Sequence, residues 1–272
     1  MHKAHSDRRP RHRLERSGQQ DSARILIFSF CILSLAALSG CVSGTPEQHL
    51  LKGAERFQQG DTAAAIREFK DALWLNRSFA PAYYNLGICY STAKTRDKAI
   101  GQFARAVQCD PRYADAYIAL AQAYVRKDTL DAAIALLRRG LAQGLAPLPF
   151  YENLGFCFMR RSAKDSALHY YQLAVALDSN GTVDYFNIGY LLSAPQQSDS
   201  SIKYLRLAHR HAANKHAVSF LLGTRLLDKP GRSAAETREG IAMLEDYLAN
   251  GDHEAMKVSK ANELIAKAKQ RR

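Results

Sequence analysis

A small residue returns at a fixed interval of 34 along most of this chain. Gly53, Gly87, Ala121, Gly155, Gly189 and Gly223 share one column, and all six are Gly or Ala. A second column reads Ala65, Ala99, Ala133, Ala167, Ser201, Ala235, and a third reads Ala72, Ala106, Gly140, Ala174, Ala208, Ala242. Self-similarity at such a period marks a repeat architecture, in which each unit is one supersecondary element unable to bury its apolar face alone. Neighbouring units must therefore stack and complete one another's core.

The stretch from Ala80 to Pro111 carries the unit most clearly. Tyr83, Leu86, Gly87, Tyr90, Ala99, Phe103, Ala106 and Pro111 fall on the spacing W-x2-L-G-x2-Y…A-x3-F…P, with Tyr in the Trp place. The small residues let two antiparallel helices approach, the large ones fill the space around the contact, and Pro111 ends the second helix. In these residues the chain resembles the tetratricopeptide repeat family. The resemblance implies an all-α fold: a right-handed superhelical solenoid of about six helix-turn-helix units.

Unit one covers roughly residues 46–79, and Thr45-Pro46-Glu47-Gln48 opens it as a helix start with a capping box. His49, Lys52 and Arg56 stand where large apolar residues are usual, so the first helix reads as a polar cap. Units follow at 80–113, 114–147, 148–181 and 182–215. The sixth is degenerate, with a turn at Lys229-Pro230-Gly231 and a second capping box, Ser233 with Glu236, opening a longer helix. Gly251 should end that helix. A closing helix, His253 to Lys269, should dock through Met256, Val258, Leu264 and Ile265. The domain reading is 1–40 signal segment, 41–45 modified end and linker, 46–251 solenoid, and 252–272 capping helix with basic tail.

The N-terminal segment has its own logic. An Arg-rich region to Arg24 precedes a short apolar run, Ile25 to Leu38, and then Leu38-Ser39-Gly40-Cys41. That order is an export signal, and the run is short of the ~20 residues a spanning helix needs. The ending resembles the bacterial lipobox, which implies lipid attachment at Cys41 and cleavage before it. Two or more acyl chains hold a protein firmly on a bilayer. By the same resemblance, Val42 is compatible with the outer membrane, facing the periplasm.

The formal charge of +12 is concentrated at the ends: residues 1–24 carry seven Lys or Arg against three acids, and 253–272 carry six against two. No basic stripe interleaved with aromatics runs through the repeats, so nucleic acid is not an expected partner. Phosphate-binding loops, zinc-protease and serine-hydrolase motifs are missing, so the chain does not read as an enzyme and implies no cofactor or metal. His209, His211 and His216 read as a solvated helix end. Cys89 and Cys157 read as small buried hydrophobes, and a Cys89–Cys109 disulfide is a further option in an oxidising compartment.

In the family, certain places on the first helices line a concave groove. Mapped here they include Tyr84, Asn85, Ile88, Ile118, Gln122, Val125, Arg126, Asn153, Phe156, Met159, Phe186, Asn187, Tyr190 and Phe220. The amides of Asn85, Asn153 and Asn187 recur at one place and suit an extended peptide backbone. The resemblance thus implies an envelope scaffold that binds segments of other proteins, similar to pilotin lipoproteins of type IV pili or to a lipoprotein scaffold for peptidoglycan hydrolases. The alternatives are a homodimerising structural module and, with no motif behind it, an envelope hydrolase subunit.

Overall fold

The computed structural model describes residues 43–91, 95–213, 215–250 and 254–270. Cys41 and Val42, the signal segment, and Gly251, Asp252 and His253 lie outside the described residues. The architecture is all-α: α1 (Pro46–Gln58), α2 (Thr62–Leu75), α3 (Ala80–Cys89), α4 (Arg96–Cys109), α5 (Ala114–Arg126), α6 (Leu130–Ala142), α7 (Pro147–Arg160), α8 (Lys164–Leu177), α9 (Thr182–Leu191), α10 (Ser198–His211), α11 (His216–Asp228), α12 (Ala234–Asn250) and α13 (Ala255–Gln270). Each helix packs on the next, and first helices also touch across units, as α1 with α3, α5 with α7, and α11 with α13. That is a solenoid of stacked hairpins. No helix among the described residues is long and apolar enough to cross a membrane.

The small columns do what their spacing implies. A Cβ on Gly53 would stand 2.4 Å from the ring of Phe69, on Gly87 2.4 Å from Phe103, and on Gly155 2.8 Å from Tyr171. Each ring comes from the partner helix of the same hairpin and is buried. Burying such a ring contributes roughly 1.5–3 kcal/mol. Ser201, the exception in the second column, is fully buried and donates its hydroxyl to the Gly189 carbonyl at 2.7 Å. At the third column Gly140 leaves room for Phe150, whose ring a Cβ would meet at 2.2 Å. The places matching Phe150 in the two preceding units hold Ala82 and Ala116, opposite Ala72 and Ala106.

Turn chemistry repeats as well. Gly60, Asp128 and Ser162 share one place between the two helices of a unit, and all three have positive φ. The amides of Asp61, Thr129 and Ala163 then bond back to the carbonyls of Arg56, Tyr124 and Phe158, each at 2.9 Å. This is the αL helix stop. Between units, the side chains of Asn76, Asp110 and Asp178 accept from the amides of Ser78, Arg112 and Asn180 at 2.9–3.0 Å. Such Asx turns reverse the chain without glycine.

Both capping boxes form. Thr45 and Gln48 exchange bonds at 3.1 and 3.3 Å, and Ser233 and Glu236 at 2.8 and 3.1 Å. Three expectations need correction. His49 is not part of a polar outer face. It is buried, its ring bridging the Glu68 carboxylate at 2.7 Å and the Ser43 carbonyl at 3.0 Å. Lys52 and Arg56 are exposed. Unit six slips out of phase: Ala235 and Ala242 are exposed, while Gly240 is buried against Leu226 and Leu227. Extra residues around the Lys229 turn cause the shift, and Lys229 secures it by pairing with Asp199 at 2.6 Å and Glu236 at 2.7 Å. Finally, α13 docks through Ala261, Leu264, Ile265 and Ala268, leaving Met256 79% exposed. Met256 belongs to the first turn of the helix, ahead of the docked face.

Candidate functional site

The first helices α7, α9 and α11 present one continuous concavity. Its widest part is a cavity of about 930 Å³, lined from α7 by Met159, from α9 by Phe186, Asn187, Tyr190 and Leu191, and from α11 by His216, Ala217, Phe220 and Leu221. Ser162 lines it from the turn after α7, and Tyr247 of α12 and Lys257 of α13 complete the lining. Five groove residues named from the sequence thus meet here: Met159, Phe186, Asn187, Tyr190 and Phe220. The lining is mostly apolar with a few polar tips, the composition of a binding concavity. Phe220 and Tyr247, both in the lining, lie 4.9 Å apart between ring centroids.

The N-terminal members are placed differently. Tyr84 packs its ring against Phe103 at 5.8 Å and Tyr113 at 5.3 Å between centroids. Burial pushes the Tyr113 hydroxyl up to about 12 and raises that of Tyr84. Ile88 and Ile118 also pack against the core while partly exposed. Val125 is a correction: at 7% exposure it belongs to the core rather than the groove. Gln122 and Arg126, its neighbours on α5, are exposed. Phe156 and Tyr190 are the open aromatics, at 39% and 53%.

The three asparagines part company. Asn85 donates its side-chain amide to the Pro81 carbonyl and Asn153 to the Pro149 carbonyl, each at 2.8 Å within its own helix. The Asn153 oxygen accepts from Gln122 at 3.4 Å. One of the two N–H donors of each is therefore engaged within its own helix, and the second remains for a guest. Asn187 makes no side-chain hydrogen bond among the described residues and lines the cavity. Tyr247 and Lys257 were not legible as lining residues, because the phase slip in unit six removes the column that would have flagged them.

The cysteines Cys89, Cys109 and Cys157 are free thiols, and burial pushes Cys157 up to about 11, away from reactivity. Among the described residues only His49, Glu68 and Asp71 bring metal-ligand atoms within 4.8 Å of one another. Both ring nitrogens of His49 are already engaged, so this group reads as a tie between α1 and α2. Burial lowers the His209 imidazole, and the charge of Lys215 lowers it further.

Residues 50–114 and 94–147 match a tetratricopeptide repeat family model. A search of curated proteins finds no match. Among solved structures, the pilF protein of Pseudomonas aeruginosa superposes with a TM-score of 0.65 at 17% identity, over 74% of this chain and 89% of that one. PilW, a type IV pilus biogenesis factor, gives 0.63 at 17% identity, over 78% and 97%. YrrB, a TPR protein with an unusual peptide-binding site, gives 0.53 at 20% identity, over 66% and 94%. The repeats of residues 50–147 belong to the tetratricopeptide repeat family, and the helical hairpins that follow them continue its solenoid fold.

Proposed function

We propose that this protein is a non-enzymatic scaffold, held at a membrane by lipid on Cys41, that seats extended segments of cell-envelope proteins in the concavity of α7, α9 and α11. The observation that carries the reading is the 930 Å³ apolar cavity built from three successive first helices. A groove of that size, with exposed Tyr190 and an uncommitted Asn187 amide, offers both apolar contact and backbone hydrogen bonding. Likeness in fold to PilW and to the pilF protein supports an envelope setting, and the likeness to YrrB supports peptide capture. The outer membrane, facing the periplasm, is the proposed location.

Recovery of partners from envelope extracts tests this. The full chain is compared with a Phe156→Ser/Tyr190→Ser variant, both residues being exposed enough to change without loss of core. Partners retained equally by both chains would remove the groove from the account.

A further inference from the structure

A smaller recess opens off the groove, about 250 Å³ in volume, where α7, α8 and α9 meet. Its walls include Glu152, Phe156, Tyr171, Val183, Asp184 and Asn187. Asp184 is the unusual member. It occupies the place that Ala82, Ala116, Phe150 and Val218 hold in other units, and is 3% exposed. Neither Asp184 nor Glu152 has an ion pair or side-chain hydrogen bond among the described residues. Tyr171, 1% exposed, lines the same recess, and its buried hydroxyl has no hydrogen-bond partner.

An isolated buried carboxyl and a buried hydroxyl are each costly when unpartnered. Burial first, then the charges of Glu152 and Asp178, raise Asp184 to about 7. Burial also raises Tyr171 and Glu152. All three shifts have the direction that a positive guest would reverse. The rim settles which kind of cation fits. Phe156 and Val183, 39% and 70% exposed, flank the mouth with apolar surface. A hydrated metal ion gains nothing from such a rim, whereas the methylenes of a basic side chain pack on it.

We propose that this recess receives the lysine or arginine side chain of a segment seated in the groove. The inference rests on the groove reading above and adds its specificity. The apolar cavity holds the segment, Asn187 stands at the junction of the two spaces, and Asp184 with Glu152 takes the charge. The Tyr171 hydroxyl turns its oxygen to the ammonium or guanidinium. A net-positive chain thus carries a local acidic recess inside its binding surface.

Fluorescence anisotropy on the full chain tests this. The probes are a labelled decapeptide of alternating leucine and serine with one central lysine, and its twin with norleucine in that place. The lysine peptide should bind about tenfold more tightly, as one charge-assisted contact allows. Tyr171→Phe, which keeps the ring packing, should reduce that preference several-fold, and Asp184→Asn should abolish it. Phe220→Ala should weaken both peptides alike. Equal binding of the two peptides, still weakened by Phe220→Ala, would overturn the basic-residue recess and leave the groove reading standing. Binding of neither peptide, or binding indifferent to every variant, would overturn both.

Discussion

The ring of Phe103 occupies the space that a side chain on Gly87 would need, with only 2.4 Å between its Cε1 and the position of a Cβ there. Phe103 is 1% exposed and cannot swing into solvent without emptying the hairpin. Gly87→Ala should therefore cost about 1–3 kcal/mol by overpacking. Gly101, on the exposed face of α4, has nothing within 4 Å of a Cβ. Gly101→Ala should stabilise by ~0.5–1 kcal/mol through helix propensity. Urea unfolding of the two variants checks both signs.

Asp184 makes stability depend on pH. Its folded pKa, raised to about 7, lies above the unfolded value of 3.8. The folded state then binds more protons than the unfolded one between those values, so stability falls as pH rises from about 4 to 7 and levels off above. Asp184→Asn removes that slope, a difference on the order of 4 kcal/mol between acid and neutral pH. Thermal melts at pH 5 and pH 8 should show the gap between variant and wild type moving in the variant's favour at the higher pH. A gap that stays constant would mean the carboxyl is already ionised at pH 5.

The groove aromatics should divide by burial. Tyr84 packs its ring at a tilt against Phe103 and Tyr113, so Tyr84→Ala should cost about 2–4 kcal/mol of stability. Tyr190→Ser should stay within about 0.5 kcal/mol of wild type while weakening partner binding. Chemical denaturation together with a binding assay separates the two outcomes.

The anchor is tested by fractionation. With Cys41 as the lipid carrier, Cys41→Ser should shift the protein from the membrane pellet to the soluble fraction or leave it as an unprocessed precursor. Mass spectrometry of the amino terminus distinguishes these from an unmodified thiol, which would remove lipid anchoring from the account.

The repeat core was legible in the sequence because Gly87 and Phe103, Gly53 and Phe69, and Gly155 and Tyr171 keep one spacing inside one hairpin. Unit six hid its packing. Residues added at the turn near Lys229 carry Gly240 and Leu244 out of the counted columns, and with them Tyr247 in the groove lining. Val125 was misplaced because the groove face and the inter-unit face of a first helix are adjacent, and family position alone does not resolve them. His49 looked like a surface residue until Glu68 and the Ser43 carbonyl supplied its partners. Those contacts come from a neighbouring helix and an irregular segment, which helical periodicity does not encode. Asp184 went unread, although it is the one carboxylate in a column that otherwise holds Gln48, Ala82, Ala116, Phe150 and Val218, because its recess depends on how three helices meet.

Site-specific photocrosslinking of the full chain in cells tests the groove most directly. A photoreactive phenylalanine analogue placed at Tyr190, inside the cavity, should join to a defined segment of an envelope protein. The same analogue at Trp74 and Leu177, exposed at the ends of α2 and α8, should not. Adducts from Trp74 or Leu177 with none from Tyr190 would contradict the account.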